Sequence, residues 1–273
     1  MLETSTRGPI TRIWMARGFG GRTLHSVSAY LVGDTLVDSG CPATADELAE
    51  WCRRQGVRRI VHTHHHEDHT GGDAVLVERL GVEVWAPPRT VPILSNFYRL
   101  PWYRALVWGR AHSVVARPFG DDVRVGPFML QAIPTPGHAA DHVCLFEPEH
   151  RWLFTGDLFI HAHVTHLRRS EDAATITESL QQMLALEPVL VICSHAGFVE
   201  RACEALEERI EHWRRLAAEA SALAAEGQPL RVIRRRLLGR EGAMMLLSGG
   251  DFSKANLIRS LLAGTGGGSR ALV

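Results

Sequence analysis

Near the N-terminus, hydrophobic and polar positions alternate in short bursts; further on they settle into a strand–helix–strand rhythm. Residues 10–16 alternate in part, and 26–32 and 35–37 flank the turn Gly33-Asp34, which predicts short strands. Residues 44–55 switch to helical spacing, with Leu48, Trp51 and Cys52 on one face and Thr44 placed as an N-cap. A short buried strand at 59–62, a helix over 72–80 and a strand at 82–85 follow. The rhythm then resumes with a hairpin at 123–133 turning on Gly126-Pro127 and strands at 143–147 and 152–155. An amphipathic helix at 173–186, a buried strand at 189–193 and a long helix from 199 complete it.

Two segments depart from this pattern. Residues 87–118 carry Phe97, Tyr98, Trp102, Tyr103 and Trp108 among several arginines, a composition suited to a lid or pocket wall or to a helical insertion packed on the core. Residues 201–263 read as a helical extension, basic over 231–238 and turning at 246–251, and 264–273 as a Gly-rich flexible tail. The sandwich domain is therefore placed at 1–200.

A chain of 273 residues with 45% hydrophobic and 22% charged positions is an ordinary globular one. Thirty basic and 30 acidic residues cancel, which leaves no overall basic footprint for nucleic acid. The five cysteines are scattered without a Cys-x-x-Cys pair, and no leader-like apolar segment opens the chain, so reduced thiols and a cytoplasmic location are expected. No apolar run approaches the roughly 18 residues that cross a bilayer. The 15 histidines are the one bulk figure that points to chemistry.

Six of those histidines fall at meaningful places. His64, His65, His66, Glu67, Asp68 and His69 run together ahead of Thr70-Gly71-Gly72. His64 and His66, two apart at a strand end, can face one cation, and Asp68 and His69, past a bend, can face a second. An imidazole-rich set with a carboxylate suits zinc, and iron or manganese less well. His138, Asp157 and His195 each follow a predicted strand, beside tight turns or small neighbours. In α/β architectures that strand edge is where sites are built.

These motifs, with the strand end Leu36-Val37-Asp38-Ser39-Gly40, resemble the metallo-β-lactamase-fold hydrolase superfamily, in its glyoxalase II-like and lactonase-like branch, over roughly residues 10–200. The resemblance implies an α/β fold: an αββα sandwich of two mixed β-sheets with outer helices, here followed by the C-terminal helical extension. It implies that His64, His66 and His138 hold one metal ion, that Asp68, His69 and His195 hold another, and that Asp157 bridges them. The cofactors are then two divalent ions, zinc first. Asp38 matches the acidic residue that orients a ligand histidine in such sites. The loop after Asp157 faces the cleft in this family, which makes His163, with His161 and His166, a candidate for substrate contact. His142 is a candidate for the pocket or for a structural hydrogen bond, and Tyr98 and Trp102 for the pocket wall.

The chemistry expected is a dinuclear hydrolase that activates water against a small ester, thioester or lactone, with Asp68 accepting or relaying a proton. No Gly-x-Ser-x-Gly elbow offers a serine nucleophile instead. An iron-dependent sulfur dioxygenase and a nuclease or phosphodiesterase are the alternatives that this resemblance also carries. A small-molecule substrate is the expected partner, with neither membrane nor nucleic acid, and a homodimer contact is one role open to the C-terminal helices.

Overall fold

The computed structural model describes residues 1–19 and 22–265. Its first sheet takes seven strands in chain order: β1 (Leu2–Arg7), β2 (Ile10–Phe19), β3 (Arg22–Val32), β4 (Thr35–Val37), β5 (Arg59–Val61), β6 (Glu83–Ala86) and β7 (Arg117–Pro118). The first four pair antiparallel, with Gly8-Pro9 turning β1 into β2 and Gly33-Asp34 turning β3 into β4. The last four pair parallel, because α1 (Ala45–Gln55), α2 (Glu67–Thr70), α3 (Asp73–Leu80), α4 (Val91–Ser95) and α5 (Trp102–Trp108) lie in the crossovers.

The second sheet is built from β8 (Asp122–Val125), β9 (Phe128–Pro134), β10 (Val143–Glu147) and β11 (Trp152–Gly156), all antiparallel. After the short β12 (Leu167–Arg168) and α6 (Ala173–Leu184), β13 (Leu190–Cys193) pairs parallel with β11, and β14 (Gly197–Val199) closes the edge. The chain ends in α7 (Ala202–Ala225), α8 (Leu230–Leu238), α9 (Ala243–Leu247), β15 (Phe252–Ser253) and α10 (Lys254–Thr265), with β15 pairing β12.

The two mixed sheets face each other. Ile10, Tyr30, Val37 and Val61 from the first pack against Leu130, Leu145, Phe154 and Ile192 from the second. The Tyr30 hydroxyl crosses between them and donates to the Cys193 carbonyl at 2.6 Å. α1 and α3 cover the outer face of the first sheet through Leu48, Cys52 and Leu76. α6, α7 and α10 cover the second through Leu180, Leu206, Trp213 and Leu257. The architecture is the expected αββα sandwich, and the C-terminal helices share the outer core of its second sheet.

Several local expectations shift. Thr44 occupies the N-cap position of α1, but its hydroxyl turns back to the Cys41 carbonyl at 3.1 Å and does not cap the helix. The helix anticipated from Val199 begins at Ala202, because 197–199 add an edge strand to β13. The 87–118 insertion is only partly helical; its end pairs with β6 as β7. The Gly-rich tail lies outside the described residues except for Gly264 and Thr265, which close α10. The five cysteines are unpaired, and among the described residues no helix is long and apolar enough to cross a membrane.

Candidate metal centre

Strand direction gathers the site. β4 and β5 run parallel, and β9, β11 and β13 share one direction in the second sheet, so Asp38, the histidine loop, His138, Asp157 and His195 all leave from one edge. The edges are tied where the Val143 amide donates to the Thr63 carbonyl at 3.0 Å and the Ser28 amide to the Ser194 carbonyl at 2.7 Å.

The histidine loop leaves β5, extends through His66 and turns into the single helical turn of α2, which presents Asp68 and His69. Its geometry requires glycine at position 71: a Cβ there would run into Pro42 and the Glu67 carbonyl. On the facing sheet, Gly156 takes a positive φ of 47°, and a Cβ would meet His142 Nε2 at 2.7 Å and Thr63 Oγ1 at 2.8 Å. Glycine lets β11 deliver Asp157 directly over the loop.

Two donor sets result, and they share Asp157. In the first, His64 Nε2 lies 3.1 Å from His66 Nδ1, His138 Nε2 lies 2.8 Å from the same Nδ1, and Asp157 Oδ2 is 3.4 Å from His138 Nε2. In the second, Asp157 Oδ1 sits 3.1 Å from His69 Nε2 and 3.2 Å from His195 Nε2, with Asp68 completing the group. All donor atoms within each set lie within 4.8 Å of one another.

The buried polar atoms test whether a cation fits. Asp68 Oδ1, His69 Nε2 and Asp157 Oδ1 are buried and make no well-aligned hydrogen bond, although His69 Nε2 and Asp157 Oδ1 lie 3.1 Å apart. Three such atoms pointing into one space are costly unless something positive joins them. Neutral imidazoles and ionised carboxylates are also the forms that ligate. Burial, then the nearby His69, pulls the His64 pKa well down, and burial with Arg168 does the same to His66.

The far nitrogens of the rings are held as well. His64 Nδ1 meets Thr63 Oγ1 at 3.0 Å, and His195 Nδ1 meets the Ser26 carbonyl at 3.0 Å. His138 Nδ1 meets Glu171 Oε1 at 2.6 Å, and His69 Nδ1 meets Asp38 Oδ2 at 2.7 Å. Such contacts fix the tautomer and the ring plane that face the cation. Asp38 also accepts from the Thr63 amide and hydroxyl, both at 2.9 Å. Burial opposes its charge, but His69 and His62 hold its pKa well below the carboxylate range. His62, sandwiched between Asp38 and Asp73, is pushed up to about 9 by those carboxylates against the burial penalty.

His142 is not part of the lining of the cavity beside the donor sets: its Nε2 accepts the Asp157 amide at 3.2 Å, so Nδ1 carries the proton toward Thr135 Oγ1 at 2.8 Å. Burial pulls its pKa down to about 3, in keeping with that neutral tautomer. His65 turns away from the donor sets, as its place between two candidate ligands suggests, and pairs with Asp141 at 2.8 Å.

A cavity of about 360 Å³ opens beside Asp68, Asp157 and His195. Three sequence candidates fail to reach it. His163 is exposed at the surface, 3.5 Å from Glu208, whereas His161 and His166 of the same loop do line the cavity. Trp102 is 65% exposed, and Tyr98 packs outside, its ring 5.7 Å from His65. The helical phase of α5 turns Tyr103, Arg104, Val107 and Trp108 inward and leaves Trp102 and Leu106 on the opposite face. The basic run at 231–240 also lines no part of the cavity.

The sequence reading also missed residues that matter here. Arg104 Nε bonds Glu67 Oε1 at 2.7 Å, which fastens the insertion to the histidine loop. Arg168 on β12, Glu171 in the loop after it and Arg209 on α7 sit at the cavity, where the sequence pattern marks them only as charged positions. The helical spacing of 202–225 could have raised Arg209, since it shares a face with Leu206 and Trp213.

An αββα sandwich carrying these paired histidine–aspartate sets at one sheet edge defines a metallo-β-lactamase-type protein. The chain belongs to the metallo-β-lactamase superfamily, whose family model matches residues 22–195. Among its relatives, a hydroxyacylglutathione hydrolase of Rhodospirillum rubrum is 32% identical over 176 residues, covering 63% of this chain and 62% of the relative. A beta-lactamase-like protein 2 homolog of Caenorhabditis elegans is 29% identical, covering 74% of this chain and 66% of its own. The matched part thus spans a little under two thirds of these relatives. A beta-lactamase domain protein from Burkholderia ambifaria superposes with a TM-score of 0.72 at 18% identity, covering 96% of this chain and 88% of its own, a likeness of fold.

Proposed function

We propose that the protein is a metal-dependent hydrolase of small esters, thioesters or lactones. The observation that carries this reading is the pair of donor sets joined at Asp157, with three buried, unpartnered polar atoms turned into the space between them. His64, His66 and His138 would hold one divalent ion, and Asp68, His69 and His195 the other, with Asp157 common to both. Zinc suits the histidine-rich donors best. When bound, such ions lower the pKa of water toward neutrality and polarise a carbonyl oxygen.

The chain's own residues supply the rest. Asp38, Glu171, Thr63 and the Ser26 carbonyl keep the ligand rings aimed. Asp68, a buried carboxylate whose Oδ1 makes no hydrogen bond, would accept or relay the proton released by the attacking water. Leu158, Ile160, Val164 and Trp108 give the cavity an apolar wall that excludes water and favours an acyl group. The relatives named as hydroxyacylglutathione hydrolases support a thioester among the substrates.

The test is a panel of thioesters, esters, lactones and a bis-aryl phosphodiester, assayed with zinc-loaded, manganese-loaded and iron-loaded protein while oxygen uptake is recorded with a persulfide. Hydrolysis of carboxylic substrates without oxygen consumption is the expected result. Oxygen uptake with the persulfide and no hydrolysis would replace this reading with the dioxygenase one.

A further inference from the structure

On the wall of the cavity beside the donor sets lies a buried positive charge that makes no ion pair, with Glu171 the acid whose charge reaches it. Arg209, on α7, is only 2% exposed. Its Nε and Nη1 are buried and have no hydrogen-bond partner. Its guanidinium carbon stacks 3.4 Å from the centre of the Trp213 ring, and the Trp213 Nε1 is itself anchored on the Val164 carbonyl at 2.9 Å. Both side chains line the same cavity as Asp68, Asp157 and His195.

A buried guanidinium with no carboxylate beside it is expensive to keep. Nearby acids are committed elsewhere: Glu171 accepts from the Arg168 amide at 2.6 Å and holds His138, and exposed Glu208 faces His163. Burial pulls the Arg209 pKa down to about 9, which leaves the side chain charged at neutral pH. The stacking on Trp213 holds the fork in one plane, the preorganised form in which arginine meets a planar anion.

We propose that Arg209 binds a carboxylate on the substrate, remote from the bond that is cleaved, so that the acyl compounds this site accepts are half-esters, half-thioesters or lactones of an acid. A carboxylate fits better than a phosphate. The planar guanidinium fork matches the two coplanar oxygens of a carboxylate, whereas a tetrahedral phosphate offers no such plane to a fork already stacked on Trp213. Leu158, Ile160, Val164 and Ile176 line the cavity that Arg209 shares with Asp68, Asp157 and His195, which suits a hydrocarbon linker. The substrate class rests on the hydrolase reading; the carboxylate site itself does not.

Two measurements keep these apart. Calorimetric titration of the zinc-loaded chain with glutarate and with neutral glutaramide reads the carboxylate site without any turnover. Glutarate should bind and glutaramide should not, and Arg209→Met should weaken glutarate by about tenfold or more, with Arg209→Lys between the two. Metal content and circular dichroism show whether each variant keeps its centre and fold. Should Arg209→Met fail to fold, Arg209→Lys decides the matter: a folded, metal-replete Arg209→Lys that binds glutarate as tightly as wild type would put the anion on the metal centre instead. The second measurement compares the S-phenyl half-thioester of glutaric acid with S-phenyl pentanoate: a preference for the acid, read as the ratio of the two KM values within each protein, should collapse in Arg209→Met. Equal binding of glutarate by wild type and a folded, metal-replete Arg209→Met, or no wild-type preference for glutarate over glutaramide, would overturn the assignment. Glutarate binding that depends on Arg209 without thioester hydrolysis would keep the anion site and remove the hydrolase reading.

Discussion

Arg104 and Glu67 form a buried ion pair that joins α5 of the insertion to the middle of the histidine loop. Glu67 is wholly buried and Arg104 nearly so, so neither charge can turn to solvent when the other is removed. Replacing one partner, in Glu67→Gln or Arg104→Met, should cost about 3–5 kcal/mol of stability. The double replacement should recover a large part of that loss. Urea unfolding of the three variants measures both effects; a double variant as unstable as the sum of the singles would mean that the two side chains act independently.

Glu171 touches no candidate cation, yet it fixes the His138 ring from behind at 2.6 Å. Glu171→Gln keeps the size and weakens the acceptor. Metal affinity should fall by about 10–100-fold, while the fold, followed by circular dichroism, stays intact. Competition with a chromophoric chelator reads the affinity directly, and an unchanged value would remove Glu171 from the account.

His142 and His138 are four residues apart, but they do different work. His138 offers Nε2 to a donor set, whereas His142 receives the Asp157 amide. His142→Ala should leave a buried amide unsatisfied and cost about 1–3 kcal/mol, with both metal equivalents retained at saturating zinc. His138→Ala should lose metal outright. Equal loss of metal in the two variants would place His142 among the ligands.

Chelation offers a test independent of activity. Asp68 Oδ1, His69 Nε2 and Asp157 Oδ1 are buried without a well-aligned hydrogen bond; cations would satisfy them, so the loaded form should be the more stable one by mass action. Stripping metal should lower the Tm, and adding zinc back should restore it in a concentration-dependent way. A Tm indifferent to both treatments would show that no cation stabilises the folded chain.

Much of this site is visible in the sequence because its candidate ligands are chemically uncommon residues near strand ends. His64, His66, His138, Asp157 and His195 follow closely where the apolar run of a strand stops, and Asp68 and His69 come next in the same histidine loop, on α2. The two mixed sheets follow from the same runs. The cavity wall is less legible. Residues 97–108 carry aromatics on every face, so spacing does not reveal that Tyr103 and Trp108 turn inward while Trp102 faces solvent. His163 and His161 differ by two positions in an irregular loop, where no periodicity fixes direction. Arg209 reads as one more charge in a highly charged helix until the cavity beside Trp213 is seen. Contacts between distant segments, such as Glu171 on His138 or Arg104 on Glu67, carry no local signal at all.

Asp157 alone serves both donor sets, so metal counting in Asp157→Ala bears most directly on the whole account. Zinc-loaded wild-type protein should contain two equivalents per chain by inductively coupled plasma mass spectrometry. Asp157→Ala should hold one or fewer and lose most of its hydrolytic activity while remaining folded. A folded Asp157→Ala that keeps two equivalents and full activity would contradict the shared-carboxylate centre.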